Sequence, residues 1–139
     1  MATVREIMST DIFCCTPLDN AYEAALMMKQ QDVGVIPVVE NGHVVGLVTD
    51  RDLVIRGIAE KHPGSSKITD LMSTEVICVS PNDPVEKATE LMATHQIRRL
   101  PVVENGQLVG MLSLGDIAVE DQVDEQAGIA LSEISEDYD

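Results

Sequence analysis

The stretch VGVIPVVENGHVVGLVTDRDL, Val33 to Leu53, returns 64 positions later as IRRLPVVENGQLVGMLSLGDI, Ile97 to Ile117. Pro37 recurs as Pro101, Gly46 as Gly110 and Asp52 as Asp116, with no gap between the copies. The register extends upstream, where Met8-Ser9-Thr10 returns as Met72-Ser73-Thr74 and Pro17 as Pro81. A period of this length means that one supersecondary unit is used twice. A unit of roughly 60 residues buries only about 60% of the surface its unfolded chain exposes, so each copy alone is marginal. The 139 residues are therefore expected to form one compact module of two pseudo-symmetric halves packed through their sheets. The expected boundaries are 1–61 for the first repeat, 62–66 for a linker, 67–124 for the second repeat and 125–139 for an acidic C-terminal tail.

Working outward from the repeated stretch, Asn41-Gly42 and Asn105-Gly106 each separate two apolar runs, the pattern of a hairpin with a type I′ turn. Pro37 and Pro101 have no N–H for a ladder, which puts their strands at an edge or beside a gap. Gly46 and Gly110 lie within the second strands, where a missing side chain marks close approach of another backbone or a ligand. Upstream, Ile12–Thr16 and Val76–Ser80 read as short strands, each ending at a proline. A helix follows in each copy. Asp83 is the expected N-cap, with Pro84 at the first helical position and Glu86 three residues after the cap; Asp19 fills the same place in the first copy. Thr3–Met8 and Lys67–Met72 read as short helical turns ahead of each repeat. After the hairpin a second helix starts near Asp50 and runs through Ile58, and its counterpart runs from Asp116 to about Val123. One more short helix is expected beyond Gly128. The order in each copy is strand, helix, strand, strand, helix, an α+β arrangement.

Composition narrows the function classes. Hydrophobic residues make up 45% of the chain but aromatics only 2%, so the core is aliphatic and methionine-rich. A formal charge of −15 disfavours nucleic acid, whose binding rests on neutralising phosphates, and anionic membrane surfaces as well. No apolar run reaches the ~18 residues of a membrane helix, and no signal-peptide h-region is present; a cytoplasmic protein is expected. Three cysteines argue against a disulfide framework. Cys14 and Cys78 are repeat equivalents expected on buried strands, while Cys15 faces Val79 in the alignment. His43, His62 and His95 have no histidine counterparts, and neither a zinc spacing nor a Ser-His-acid order occurs, so no catalytic residues, no metal and no catalytic cofactor are expected.

The chemistry worth weighing sits where the hairpin runs into the second helix. Thr49-Asp50-Arg51-Asp52 and Ser113-Leu114-Gly115-Asp116 both present a hydroxyl, two residues and a carboxylate. Two readings of this element stand. It is a capping box that satisfies free N–H groups at a helix start. It also suits a nucleotide: the hydroxyl and helix start attract phosphate, and an ionised Asp, an acceptor only, matches the adjacent hydroxyls of a ribose.

The segments GLVTDRD from Gly46 and GMLSLGD from Gly110 resemble the glycine–apolar–hydroxyl–carboxylate signature of cystathionine β-synthase (CBS) domains, and IPVVENG and LPVVENG match their central hairpin. Together the copies resemble a Bateman module over nearly all of Val4 to Val119. The resemblance implies clefts between the repeats that bind AMP, ADP or ATP, or else S-adenosylmethionine or NAD, in a regulatory rather than catalytic protein. It also implies a homodimer. With no effector domain visible, regulation of a separate effector protein in trans is the corresponding expectation. Carried over, Asp52 and Asp116 would hold ribose, and Thr49 and Ser113 ribose or phosphate. Arg51 belongs to the same element. Val33, Gly34 and Val35, with Ile97, Arg98 and Arg99 in the second copy, would lie beside base and phosphate. The copies differ here: Arg98 and Arg99 replace Gly34 and Val35, which points to a phosphate clamp near Asp116 and to unequal occupancy. For the homodimer, Leu53, Val54, Ile58, Ile117 and Ala118 on the second helices are the expected contact residues. The competing function is an interaction module whose hydroxyl–carboxylate elements are helix caps only.

Overall fold

The computed structural model describes residues 2–119. The helix expected to reach Val123, the short helix beyond Gly128 and the acidic tail lie outside the described residues, wholly or beyond Val119.

The described chain begins with α1 (Val4–Ile7), followed by α2 (Ala21–Gln31) and the hairpin β1 (Val35–Glu40) and β2 (His43–Thr49). A helical path follows: α3 (Asp50–Asp52), a π turn (Leu53–Gly57) and a 3₁₀ turn (Ile58–Glu60). The second copy has a 3₁₀ turn (Ile68–Asp70), α4 (Val85–His95), β3 (Arg99–Glu104), β4 (Gln107–Ser113) and α5 (Leu114–Val119). Helices on paired antiparallel strands make this an α+β protein, as the sequence implies.

Two compact units form, and their boundaries differ from those of the sequence repeats. Phe13–Val76 is one; the other joins residues 2–12 to 77–119. The reason is that each repeat's leading segment docks on the opposite hairpin. In the second unit Val4 N–H donates to the Asp83 carbonyl at 2.9 Å, and Ser9 and Met111 exchange backbone bonds of 2.8 and 2.9 Å. Ala2 and Val4 are buried with Val85, Met92, Leu100 and Ile117. In the first unit Ile68 N–H donates to the Asp19 carbonyl at 3.0 Å, and Leu47 and Ser73 exchange bonds of 2.9 and 2.8 Å. Ile68 is buried there with Ala24, Met28, Ile36 and Val48.

The docking explains the strand glycines. A Cβ on Gly46 would lie 2.6 Å from Met72 Sδ and 2.9 Å from the Ser73 carbonyl oxygen; on Gly110 it would lie 2.8 Å from Met8 Sδ and 2.9 Å from the Ser9 oxygen. A methionine side chain and the backbone of the docked segment occupy the space each of these residues leaves. The hairpin turns are as the sequence reads: Asn41 and Gly42 have φ of 53° and 82°, Asn105 and Gly106 54° and 80°, the two positive values of a type I′ turn. Each hairpin carries a register shift, after Val38 and after Val102.

The leading strands are the main departure. Ile12–Thr16 and Val76–Ser80 are reduced to single parallel bridges, Cys15 to Val38 and Val79 to Val102. Cys15 N–H donates to the Pro37 carbonyl at 2.9 Å and Val39 N–H to the Cys15 carbonyl at 2.8 Å. Extending the ladder upstream requires the N–H of Pro37, and downstream that of Pro17; neither exists. Pro101 and Pro81 stop the other copy in the same way, leaving Val79 to Pro101 at 3.1 Å and Val103 to Val79 at 2.8 Å. The alternation also settles the cysteines. Cys15, not Cys14, is buried, matching buried Val79, while Cys14 and Cys78 are half-buried. Burial, reinforced by the nearby Asp19 charge, pushes the Cys15 thiol up to about 11; burial also raises Cys14 and Cys78.

The helix starts require a second correction. Asp19 and Asp83 do not cap α2 and α4. Their Oδ2 atoms accept from Thr16 N–H at 2.7 Å and Ser80 N–H at 2.8 Å, closing the turns before the helices. Asn20 caps α2 in a reciprocal box with Glu23. Pro84 is the N-cap of α4 rather than its first helical residue, and offers no side-chain bond. The Val85 N–H instead donates to the Ala2 carbonyl at 3.2 Å, so the docked N-terminal segment substitutes for a cap. Lastly, the expected contact residues on the second helices divide: Val54, Ile58 and Ala118 are exposed, whereas Ile117 and Leu53 are not. Ile117 is fully buried in its own unit, and Leu53 packs half-buried against its own core.

Candidate functional site

In each unit the start of the first hairpin strand meets the end of the second. Asp32 and Gln96 close α2 and α4 in the left-handed conformation, with φ of 54° and 56°. Val33 N–H then reaches back to the Met28 carbonyl at 3.0 Å, and Ile97 N–H to Met92 at 3.0 Å, a Schellman-type end that aims the chain into the strand. Val35 pairs with Thr49 and Arg99 with Ser113. Asp50 N–H donates to the Gly34 carbonyl at 2.9 Å, and Leu114 N–H to the Arg98 carbonyl at 2.8 Å. Val33, Gly34 and Val35 thus share one corner with Thr49, Arg51 and Asp52. Ile97, Arg98 and Arg99 share the equivalent corner with Ser113 and Asp116.

Both corners contain the full capping box. Asp52 Oδ2 accepts from Thr49 N–H at 2.9 Å while Thr49 Oγ1 accepts from Asp52 N–H at 3.0 Å. Asp116 Oδ2 and Ser113 Oγ do the same, at 3.0 Å each. The caps leave chemistry unused. Each carboxylate commits Oδ2 to the cap, and each hydroxyl accepts a bond while its own proton finds no acceptor among the described residues. An oxygen acceptor and a hydroxyl donor therefore stand side by side at each helix start.

The corners differ in charge. Asp52 Oδ1 faces Arg56 Nε at 3.9 Å, and Arg56 is steadied by an Nη1 bond of 3.0 Å to the Met72 carbonyl. The exposed Asp50 adds a second carboxylate, near enough that a Cβ on Gly34 would lie 3.1 Å from its Oδ2. Arg51 is exposed. In the second corner Leu114 and Gly115 replace Asp50 and Arg51, and neither Arg98, exposed, nor Arg99, half-buried, forms an ion pair among the described residues. Arg56 was not singled out from the sequence. Its signal is the Asp52–Arg56 spacing of four within a helix, a standard ion-pair interval.

His43, His62 and His95 are exposed. Among the described residues no group of three or more His, Cys, Asp or Glu side chains gathers, and no helix is long and apolar enough to cross a membrane.

Comparison with known proteins agrees with the fold and the repeat. The sequence model of the CBS domain matches residues 4–57 and 68–121. The uncharacterized protein YlbB of Bacillus subtilis (strain 168) is 51% identical over 98% of this chain and 93% of its own length. Among solved structures, Hypoxic Response Protein I with two coordinated zinc ions is 31% identical, with a TM-score of 0.76 over 86% of this chain and 98% of that one. CBSX2 in complex with AMP is 25% identical, with a TM-score of 0.74 over 90% of this chain and 99% of that one.

Proposed function

The chain belongs to the CBS-domain family as a tandem pair, and from that premise we propose that it is a regulatory module for an adenosine-containing ligand, AMP, ADP or ATP in particular. The ligand sits at the strand-start corners. Asp116 and Asp52 hold the ribose hydroxyls through the carboxylate oxygen that the cap leaves over. Ser113 and Thr49 donate their hydroxyl protons to ribose or phosphate. Ile97 and Val33 to Val35 flank the base, and Arg98 and Arg99 neutralise phosphate. The protein is non-catalytic and cytoplasmic, and its liganded state acts in trans on an effector protein.

The observation that carries this reading is the second corner: a hydroxyl, a carboxylate with one oxygen outside the cap, and two guanidinium groups without ion pairs among the described residues. In a chain of net charge −15, two adjacent arginines with no ion pair among the described residues suit an anion. The AMP complex of CBSX2 supports the choice of nucleotide class. The reading of these elements as caps alone has the reciprocal bonds in its favour.

A thermal-shift and calorimetric series with adenosine, AMP, ADP, ATP, NAD and S-adenosylmethionine separates the two. A ligand present at 100 times its Kd adds about 2.7 kcal/mol to stability. AMP is expected to bind more tightly than adenosine, with a preference that shrinks as salt rises. Arg98→Ala and Arg99→Ala remove most of that preference while leaving adenosine binding nearly intact. If none of the six compounds raises the unfolding midpoint, the corners are caps only. If adenosine and AMP bind equally, the arginines do not read phosphate.

A further inference from the structure

Arg56 stands on the π turn (Leu53–Gly57) directly after the first capping box, and it joins two parts of the first unit that lie far apart in sequence. Its Nε lies 3.9 Å from Asp52 Oδ1. Its Nη1 donates to the Met72 carbonyl at 3.0 Å and approaches the Leu71 carbonyl at 3.5 Å. Neither carbonyl accepts another bond among the described residues. Both belong to the segment docked on β2. Leu71 is fully buried, Met72 fills the space beside Gly46, and Ser73 exchanges bonds of 2.8 and 2.9 Å with Leu47. A few residues later, after Val76, the chain leaves the first unit.

Two features set this arrangement apart. The turn carrying Arg56 is poised between two hydrogen-bond patterns, because the Ile58 N–H reaches both the Leu53 carbonyl, its π partner, and the Val54 carbonyl, its α partner. Such turns are rare and concentrate at functional sites. Gly57 lays the turn against the docked segment, where a Cβ would be 3.6 Å from Leu71 Cδ1. The second copy differs in both respects. Ile117, Ala118 and Val119, 64 positions on from Leu53, Val54 and Ile55, are α-helical. Position 120, the counterpart of Arg56, is Glu, which when ionised has no proton to donate to a carbonyl. Folding a CBS repeat therefore does not demand an arginine here.

The Asp52 side chain is 18% exposed and that of Arg56 52%, so water screens the pair and its direct worth is small. Its consequence lies in what it connects. We propose that Arg56 is a relay that makes docking of residues 71–73 depend on the charge and the occupancy of the Asp52 carboxylate. The charged carboxylate holds the guanidinium over the two carbonyls. An occupant strengthens that hold, because it keeps water from the pair while Oδ1 retains a second lone pair for Arg56. The dependence on charge stands by itself; the dependence on occupancy rests on the nucleotide reading of this corner. Binding at Asp52 then tightens the segment through which the chain passes towards the second repeat. Asp116, with Glu120 four residues on, has no equivalent relay.

The test is amide hydrogen exchange of the full chain in a double-mutant cycle of Asp52→Asn and Arg56→Ala. Asp52→Asn keeps an oxygen for the Thr49 N–H and loses the charge. Exchange at Leu47, Met72 and Ser73 rises roughly tenfold or more in Arg56→Ala and roughly threefold or more in Asp52→Asn. In the double variant it rises no further than in Arg56→Ala. Ser9 and Met111, whose bonds match those of Ser73 and Leu47, keep parental rates in all variants. Should Arg56→Ala not fold, Arg56→Gln, which retains much of the stem and drops the charge, takes its place with the same expectation. Effects that add, or three amides that keep parental rates in both single variants, overturn the relay. Occupancy is read with adenosine in the Asp116→Ala background, where the first corner is the one left intact. Adenosine slows the three amides there, and ceases to do so once Arg56→Ala is added. Adenosine that binds by calorimetry without slowing them overturns the relay as well. If adenosine does not bind, the nucleotide reading of this corner falls, and the unliganded cycle still decides the relay.

Discussion

Replacing Asp116 separates the two tasks assigned to one carboxylate. In Asp116→Ala the Ser113 N–H loses its 3.0 Å acceptor, while the Ser113 hydroxyl still accepts from the backbone of residue 116. Loss of half a capping box costs about 1 kcal/mol. For a domain of this size that lowers Tm by about 4 °C. Ligand binding is a separate quantity. If the remaining carboxylate oxygen receives the ribose hydroxyls, its removal costs about 1.5–3 kcal/mol, the range for hydrogen bonds to a charged group. That corresponds to a 10- to 150-fold weaker Kd, roughly. Asp116→Asn is the sharper variant. Its amide oxygen can still accept from Ser113 N–H, so Tm is nearly kept, but the charge is gone and affinity falls. Calorimetry with AMP and with its 2′-deoxy analogue reads affinity, and scanning calorimetry reads stability. The ribose assignment is refuted if AMP affinity is unchanged in both variants while Asp116→Ala loses stability on the cap scale, or if the deoxy analogue binds the parent as well as AMP does.

Two more outcomes test the fold beneath the site. Gly110→Ala places a methyl group 2.9 Å from the Ser9 carbonyl oxygen, a backbone atom that cannot swing aside. Overpacking of this kind costs about 1–3 kcal/mol, seen as a lower urea midpoint; an unchanged midpoint would mean that the leading segment does not dock on β4. The buried Cys15 thiol, pushed up to about 11, stays protonated in the folded chain after an unfolded thiol has ionised near pH 9. The unfolded state then binds fewer protons, so the contribution is intact below pH 9 and declines as pH rises from about 9 to 11. Cys15→Val, which installs the residue of position 79, flattens the stability profile in that window; an unaltered slope contradicts the assignment.

The repeat, the two hairpins and their type I′ turns were legible because they depend on local signals: a period without gaps, and Asn-Gly pairs that tolerate positive φ. The corners were legible for the same reason, since the hydroxyl and carboxylate are three residues apart and the strand start is brought back by the hairpin register. What escaped depends on contacts between distant segments. The leading strands look β-prone in sequence, yet their ladders stop because Pro17, Pro37, Pro81 and Pro101 remove a donor on either side of one bridge, which is visible only once the partner is known. Asp83 followed by Pro84 reads as a helix start, but Ala2 takes the first helical N–H and frees Asp83 to close a turn. The glycines announced a close approach without saying what approaches; it is the side chains of Met72 and Met8 with the backbone of Ser73 and Ser9.

The capping and ligand readings of the carboxylates compete less than the sequence makes it seem. A carboxylate on a helix-start residue is ordinarily free to rotate, and a ligand that uses it must immobilise it, at about 0.5–1.5 kcal/mol per ordered side chain. Here Oδ2 is already fixed by Ser113 N–H at 3.0 Å and by Thr49 N–H at 2.9 Å, so folding has met that cost and the other oxygen is preorganised. The advantage is unequal. At Asp52 the second oxygen faces Arg56, and a ribose there must share the carboxylate with a guanidinium. At Asp116 the position four residues on is Glu120 in the sequence, which cannot play that part. With Leu114 in place of Asp50 and Arg98 in place of Gly34, the second corner also lacks the extra carboxylate that opposes an anion. Under the proposed function, the same cap would then support different ligand preferences: a phosphorylated nucleoside at Asp116, and at Asp52 a ligand whose phosphate, if any, is kept away from Asp50.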